Sequence, residues 1–110
     1  MLIAFVGDVL IDRRNPSEVF DEVPVLLRDP DILFANLESP YSDAPKPGVA
    51  SQLVPLCPAA HSLGAYKHAG FNAMSLANNH IADGGYAAML ETQRRLRTAG
   101  ATCGAGEILQ

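Results

Sequence analysis

A chain of 110 residues that is 48% hydrophobic and 18% charged has the make-up of a soluble globular domain, not of a disordered tract. Its formal net charge of -4, with eight Lys+Arg in all, provides no basic stripe, which excludes nucleic acid and anionic membrane surfaces as expected partners. Cys57 and Cys103 stand far apart without C-x-x-C spacing, so they imply neither a zinc knuckle nor a disulfide scaffold and read as small apolar residues.

The opening run "LIAFVG" is short, apolar and ended by glycine, the pattern of a strand buried on both faces in a parallel sheet. It is too short for a signal peptide, and no later run approaches the length of a membrane span, so the chain reads as cytosolic or as having lost a leader. "SEVFDEVPVLLRD" predicts a helix with Ser17 as N-cap, acids in its early turns and a kink or split at Pro24. A second strand is predicted in "DILFANLE". The Pro-rich stretch "SPYSDAPKPGVASQLVPLCP" after it is long enough to form a rim over a site. "AAHSLGAYKHAG" reads as a helix with Pro58 in its first turn and Gly70 at its C-terminal cap. "FNAMSLA" is a third strand. "GYAAMLETQRRLRTAG" is the clearest helix, with Met89, Leu90, Leu96 and Ala99 near one face and Gly100 as its stop, and "ATCGAG" opens a fourth strand.

This alternation predicts a layered α/β fold, with a mainly parallel sheet flanked by helices. In such sheets ligands gather beyond the carboxyl ends of the strands. The first three strands end in Gly7-Asp8, Asn36-Leu37-Glu38 and Asn78-Asn79-His80, which brings carboxylates, amide oxygens and an imidazole to one edge. A hard O/N donor set of this kind suits Mn, Fe, Mg or Zn. Each group also has a plainer role. Asp8 is a ligand or a turn cap; Asn36 and Asn78 face a substrate or satisfy loop backbone; Glu38 is a ligand or a solvated acid; His80 is catalytic or structural. Asp83, before Gly84-Gly85, reads as a turn or N-cap residue opening the last helix. His61 and His68, on the predicted middle helix, read as surface histidines.

The stretches "VGDVLIDR", "DILFANLESP", "AGFNAMSLANNHIADGG" and "ETQRRLRTAGATCGAG" together resemble the CapA-type proteins of capsule and poly-gamma-glutamate biosynthesis, over about Leu2 to Gly106. The resemblance implies a calcineurin-like metallophosphatase fold of which residues 1–110 would form the N-terminal portion, with a second half, supplying further histidines, still to come. It also implies a divalent metal held by Asp8, Glu38 and Asn79, with His80 as the catalytic residue. Arg13 falls where the family tends to carry arginine and would bind an anion, beside Asn36 and Asn78 as substrate-binding groups. Leu10 stands where metallophosphatases carry a metal-binding histidine.

Two functions follow from the resemblance: a metal-dependent hydrolase acting on a small-molecule or polymer substrate, or a non-catalytic member of a capsule-synthesis complex. Association with the cell envelope is part of the same expectation. An unrelated nucleotide-binding domain would need a Gly-rich phosphate loop after the first strand, and "GDVLIDRR" contains neither G-x-G-x-x-G nor a P-loop.

Overall fold

A computed structural model describes residues 1–13, 15–22, 29–45 and 58–104. Four strands, β1 (Ile3–Val9), β2 (Ile32–Leu37), β3 (Ala73–Ser75) and β4 (Thr102–Gly104), form one sheet in the order β1-β2-β3-β4. All three pairings are parallel. Parallel neighbours need crossovers, and right-handed crossovers that always advance in the same direction deliver their helices to the same face of the sheet. That face is the core. Leu33, Ala35 and Leu37 of β2 and Met74 of β3 pack with Leu63, Ala65 and Tyr66 of helix α1 (Leu63–His68) and Leu96 of helix α2 (Tyr86–Thr98).

Alternation along β2 and β3 sends the intervening residues to the opposite face. There Ile3 lies beside Ile32, and Phe5 beside Phe34 with ring centroids 5.5 Å apart. Phe5 is 73% exposed. The expectation that β1 is buried on both faces is therefore corrected among the described residues: Ala4, Val6 and Val9 turn to the core, while Ile3 and Phe5 are open. A continuous apolar run does not distinguish these two situations, because it lacks the polar residues that normally mark an open face.

The helix predicted from Ser17 is also corrected. Pro16–Glu18 form a short 3-10 turn whose N-cap is Asn15, because Pro16, with its fixed φ and missing N–H, suits the first position of a helical turn. Residues 23–28 and 46–57, which hold the Pro24 kink, most of the predicted rim and Cys57, lie outside the described residues. The middle helix begins as a 3-10 turn, Ala60–Ser62, preceded by Ala59 as N-cap, so Pro58 precedes the first turn instead of entering it. Gly70 and Gly100 adopt φ of 90° and 87° just past the C-caps Ala69 and Ala99, as the predicted stops require. In α2 the buried stripe is Ala88, Thr92, Gln93 and Leu96, whereas Leu90 is exposed and Met89 half-buried, which corrects the predicted apolar face.

The segment after β2 ties these layers together. The fully buried Tyr41 accepts the Ile11 N–H at its hydroxyl (2.9 Å), meets the Tyr66 hydroxyl at 2.7 Å, and donates its own N–H to Thr92 Oγ1 at 2.8 Å. Burial pushes both phenols above their ordinary pKa, Tyr66 the further, so they act as neutral hydroxyls. Next to Tyr41, Ser42 donates to Glu91 Oε2 on α2 at 2.7 Å.

The two faces of the sheet should respond differently to truncation. Leu33→Ala is expected to cost about 2–5 kcal/mol, as buried leucines do, and Phe5→Ala no more than about 1 kcal/mol, chiefly its contact with Phe34. Urea denaturation of both variants measures the difference.

Candidate functional site

The ends of β1 and β2 meet through an irregularity in their pairing. Ile3, Ala4 and Phe5 pair with Ile32, Leu33 and Phe34, but Asp8 and Val9 then pair with Asn36 and Leu37, so β1 carries one more residue than β2 between the two stretches. An extra residue in one strand reverses which face every later side chain takes. With strict alternation from Phe5, Asp8 would point into the core and Val9 out of it. The bulge instead gives Val9 to the core and sets Asp8 beside Asn36 on the face away from the helices. Gly7 lies within the bulge, where an added Cβ would meet nothing within 4 Å.

A chain of amide hydrogen bonds continues from Asp8. Asn36 Nδ2 donates to Asp8 Oδ1 at 2.7 Å, and Asn78 Nδ2 donates to Asn36 Oδ1 at 3.1 Å and to the Leu37 carbonyl at 2.8 Å. Asn78 Oδ1 accepts the His80 N–H at 3.0 Å. Asn36 and Asn78 thus link the two strand ends to the loop after β3, with every distance in the range of a good hydrogen bond. Asp8 Oδ2 is not used by this chain, and the carboxylate is exposed.

Glu38 follows Asn36 by two residues, and its N–H is held by the Val9 carbonyl at 3.1 Å. Its side chain is half-buried at the same edge. Asn79 is exposed in the loop after β3, and Arg13 is exposed in the loop after β1; among the described residues neither side chain hydrogen-bonds to the network. Leu10, two residues past Asp8, is 38% exposed. His61 and His68 are exposed on the helical segment, as expected. Among the described residues, no group of three or more His, Cys, Asp and Glu side chains is close enough to hold a metal.

Asp83 lies in the predicted turn but is not the N-cap of the last helix. Gly85, with φ 86°, is the N-cap of α2, and no side chain caps that end. The buried Asp83 carboxylate instead meets His80 Nδ1 at 2.8 Å, with 5% of its side chain exposed against 17% for His80. The Asp83 N–H also bonds to the His80 carbonyl at 2.9 Å, so the backbone makes the predicted turn while the side chain serves the imidazole. A carboxylate can only accept, which assigns the proton to Nδ1 and leaves Nε2 as the ring nitrogen available to a ligand. The signal in the sequence was the His-x-x-Asp spacing of His80 and Asp83, which a single turn converts into a contact.

A parallel sheet with its helices packed on one face places the chain in the layered α/β class. Within that class, residues 2–110 match the bacterial capsule synthesis protein family PGA_cap, and the chain belongs to this family, which is of the metallophosphatase type. It is also similar to two uncharacterized proteins of Sinorhizobium fredii (strain NBRC 101917 / NGR234), y4sH and y4uA. Each is 34% identical over 111 aligned positions, which cover 86% of this chain and 22% of the relative. The chain therefore spans about a fifth of the length of these relatives. No helix among the described residues is long and apolar enough to cross a membrane.

Tyr41 fixes the loop that follows Asp8, so Tyr41→Phe is expected to destabilise the protein by about 1–3 kcal/mol, the cost of leaving the buried Ile11 N–H without a partner. Chemical denaturation measures this. Loss of protection from hydrogen exchange at the Ile11 amide reports whether the effect is local.

Proposed function

We propose that this edge of the sheet is the site of a metal-dependent, metallophosphatase-type hydrolase that serves capsule or poly-gamma-glutamate synthesis. The observation that carries the reading is the bulge in β1, which sets Asp8 beside Asn36 at the strand ends where Glu38 and the Asn79-His80 loop also lie. Bulges of this kind are frequent beside active sites, where they redirect a side chain. Family membership supports the link to capsule synthesis.

The donor set fits a hard divalent cation such as Mn, Fe, Mg or Zn: Asp8 and Glu38 supply carboxylate oxygens, and Asn79 an amide oxygen. When bound, such an ion lowers the pKa of a coordinated water and polarises the bond to be cleaved. The remaining work belongs to the protein. Asn36 orients Asp8 through its amide, and Asn78 holds the His80 backbone in place. Asp83 fixes the ring of His80 through Nδ1–H, so that the imidazolium form, protonated at Nε2 as well, would give its Nε2 proton to the leaving group and return to the neutral ring. Arg13 would bind an anionic part of a small-molecule or polymer substrate. The exposed Leu10, where the fold elsewhere carries a ligating histidine, favours one metal over two, or a non-catalytic role within a synthesis complex.

Elemental analysis and hydrolysis of a chromogenic aryl phosphate ester by the full-length protein test the assignment. Glu38→Gln and Asn79→Ala are expected to lower metal occupancy. His80→Ala should leave the metal in place and slow turnover by about 10²–10⁴-fold, the usual span for a positioned acid or base. Asp83→Asn should lower kcat without changing KM, as expected of a residue acting through His80. Wild-type protein devoid of metal after purification without chelator would rule out the metal-dependent reading, and a metal-loaded His80→Ala protein of full activity would refute the role of His80.

A further inference from the structure

At the carboxyl edge of the sheet, the row that begins with Asp8 and Asn36 continues across the remaining strands. Asn36 pairs with Ser75 of β3, and Ser75 pairs with Gly104, the last residue of β4. Paired residues of neighbouring strands share a face, and Met74 belongs to the core. Ser75 and the open side of Gly104 therefore lie on the same face as Asp8. Adjacent strands stand about 4.8 Å apart, which places Ser75 roughly 5 Å from Asn36 and roughly 10 Å from Asp8.

The fold itself gives no reason for a glycine at position 104. Glycine weakens a strand, and it is found there where the backbone must bend or where a ligand or another backbone approaches closely. Among the described residues, positive φ falls on Gly70, Gly85 and Gly100 but not on Gly104, and a Cβ added to Gly104 would meet nothing within 4 Å. The residue is exposed, so the face beyond Ser75 is open. Ser75 is half-buried, and its Oγ accepts the Ala77 N–H at 3.3 Å. Among the described residues its hydroxyl proton goes to no acceptor, whereas the amide of Asn36 is engaged at both ends, by Asp8 and by Asn78. Ser75 thus keeps a donor for a ligand, beside a position without a side chain.

We propose that Ser75 and Gly104 extend the strand-edge site and seat the far end of an elongated ligand. Its phosphoryl head lies at the cation site of Asp8 and Glu38, a carbonyl oxygen of its chain accepts from Ser75 Oγ, and the chain runs on over Gly104. The inference rests on the proposed site for the position of the head. Strand spacing selects an elongated ligand over a compact one such as inorganic phosphate, which does not span from Asp8 to Ser75. Neither β3 nor β4 carries a charged residue, which selects a neutral carbonyl over a second anionic group.

Calorimetric titration of the full-length protein in Mn²⁺ buffer tests this with two ligands, 4-phosphonobutanamide and 4-methylpentylphosphonate, in which an isopropyl group replaces the carboxamide. The amide should bind about 3–10-fold more tightly, the span of one neutral hydrogen bond. Ser75→Ala should bring the two ligands to parity, and Ser75→Thr, which keeps the hydroxyl, should retain the preference. Gly104→Val, whose branched side chain suits a strand, should weaken both phosphonates at least fivefold and leave the melting temperature unchanged or raised. Hydrolysis of the aryl phosphate ester by the same preparations reports separately on the hydrolase reading. Preference for the amide without hydrolysis sinks that reading alone, and hydrolysis without the preference sinks the extended site alone. Equal affinity for the two ligands, a preference that survives Ser75→Ala, or no binding of either would overturn the proposal. So would a loss of stability in Gly104→Val, the result expected where another part of the polypeptide occupies that space.

Discussion

One extra residue in β1 is the constraint on which the arrangement of the site depends. A strand paired in unbroken register with β2 would offer alternating residues to the two faces along its whole length, and Asp8 would be buried against Leu37 and Ile11. A carboxylate in such surroundings is costly unless paired or neutralised. The bulge between Phe5 and Asp8 resolves the conflict by exchanging Asp8 for Val9. The apolar side chain completes the core while the acid reaches the Asn36 amide, and from there the network runs without a gap to Asn78 and the His80 backbone.

The sheet order assigns different work to its two faces. Sequential parallel strands with helices on one side make that side the core, closed by Tyr66 and Leu63 from α1 and Leu96 from α2. The other face carries Ile3, Phe5, Ile32 and Phe34 near the strand starts, and Asp8, Asn36 and Ser75 in one row across the three strand ends. Along that face the character therefore changes from apolar to polar in the direction of the strands. The polar end is also where the loops leave the sheet, so its residues are freed from the pleat and can turn toward a common ligand.

Much of this order was legible in the sequence, because a short apolar run ended by a polar group is a strong signal for a parallel strand, and three such runs nominated one edge. The helix stops were legible too, since Gly70 and Gly100 take positive φ, which suits a residue without Cβ. The bulge was not. Nothing in "IAFVGDV" says that Val6 and Gly7 together oppose a single residue of β2, because register belongs to the pair of strands and not to either alone. The role of Asp83 was obscured by a similar ambiguity. An acid two residues before a glycine N-cap satisfies the pattern for opening a helix, and only the turn from His80 shows that its carboxylate goes to the imidazole. Reading Ser17 as the cap leaves out the proline before it, whose fixed φ suits the first helical position and so makes Asn15 the cap.

The polar site has support beyond its own hydrogen bonds, since Asp8, near the end of β1, and Asn79, in the loop after β3, are both exposed. That support comes from the buried segment just past β2. Tyr41 takes the Ile11 amide three residues beyond Asp8, and its hydroxyl partner Tyr66 sits in α1, while Thr92 of α2 exchanges bonds with both the N–H and the carbonyl of Tyr41. One buried residue, through its hydroxyl and both of its backbone polar groups, thereby connects the loop after β1, the end of β2 and both helices where each hydrogen bond is expensive to break. Glu38 lies three residues before Tyr41, and Asp8 three before Ile11, so the two carboxylates proposed to share a cation are each tethered by a short length of chain to the same buried hydroxyl. The rigidity of the site is thus set from beneath it, by a tyrosine that no ligand would touch.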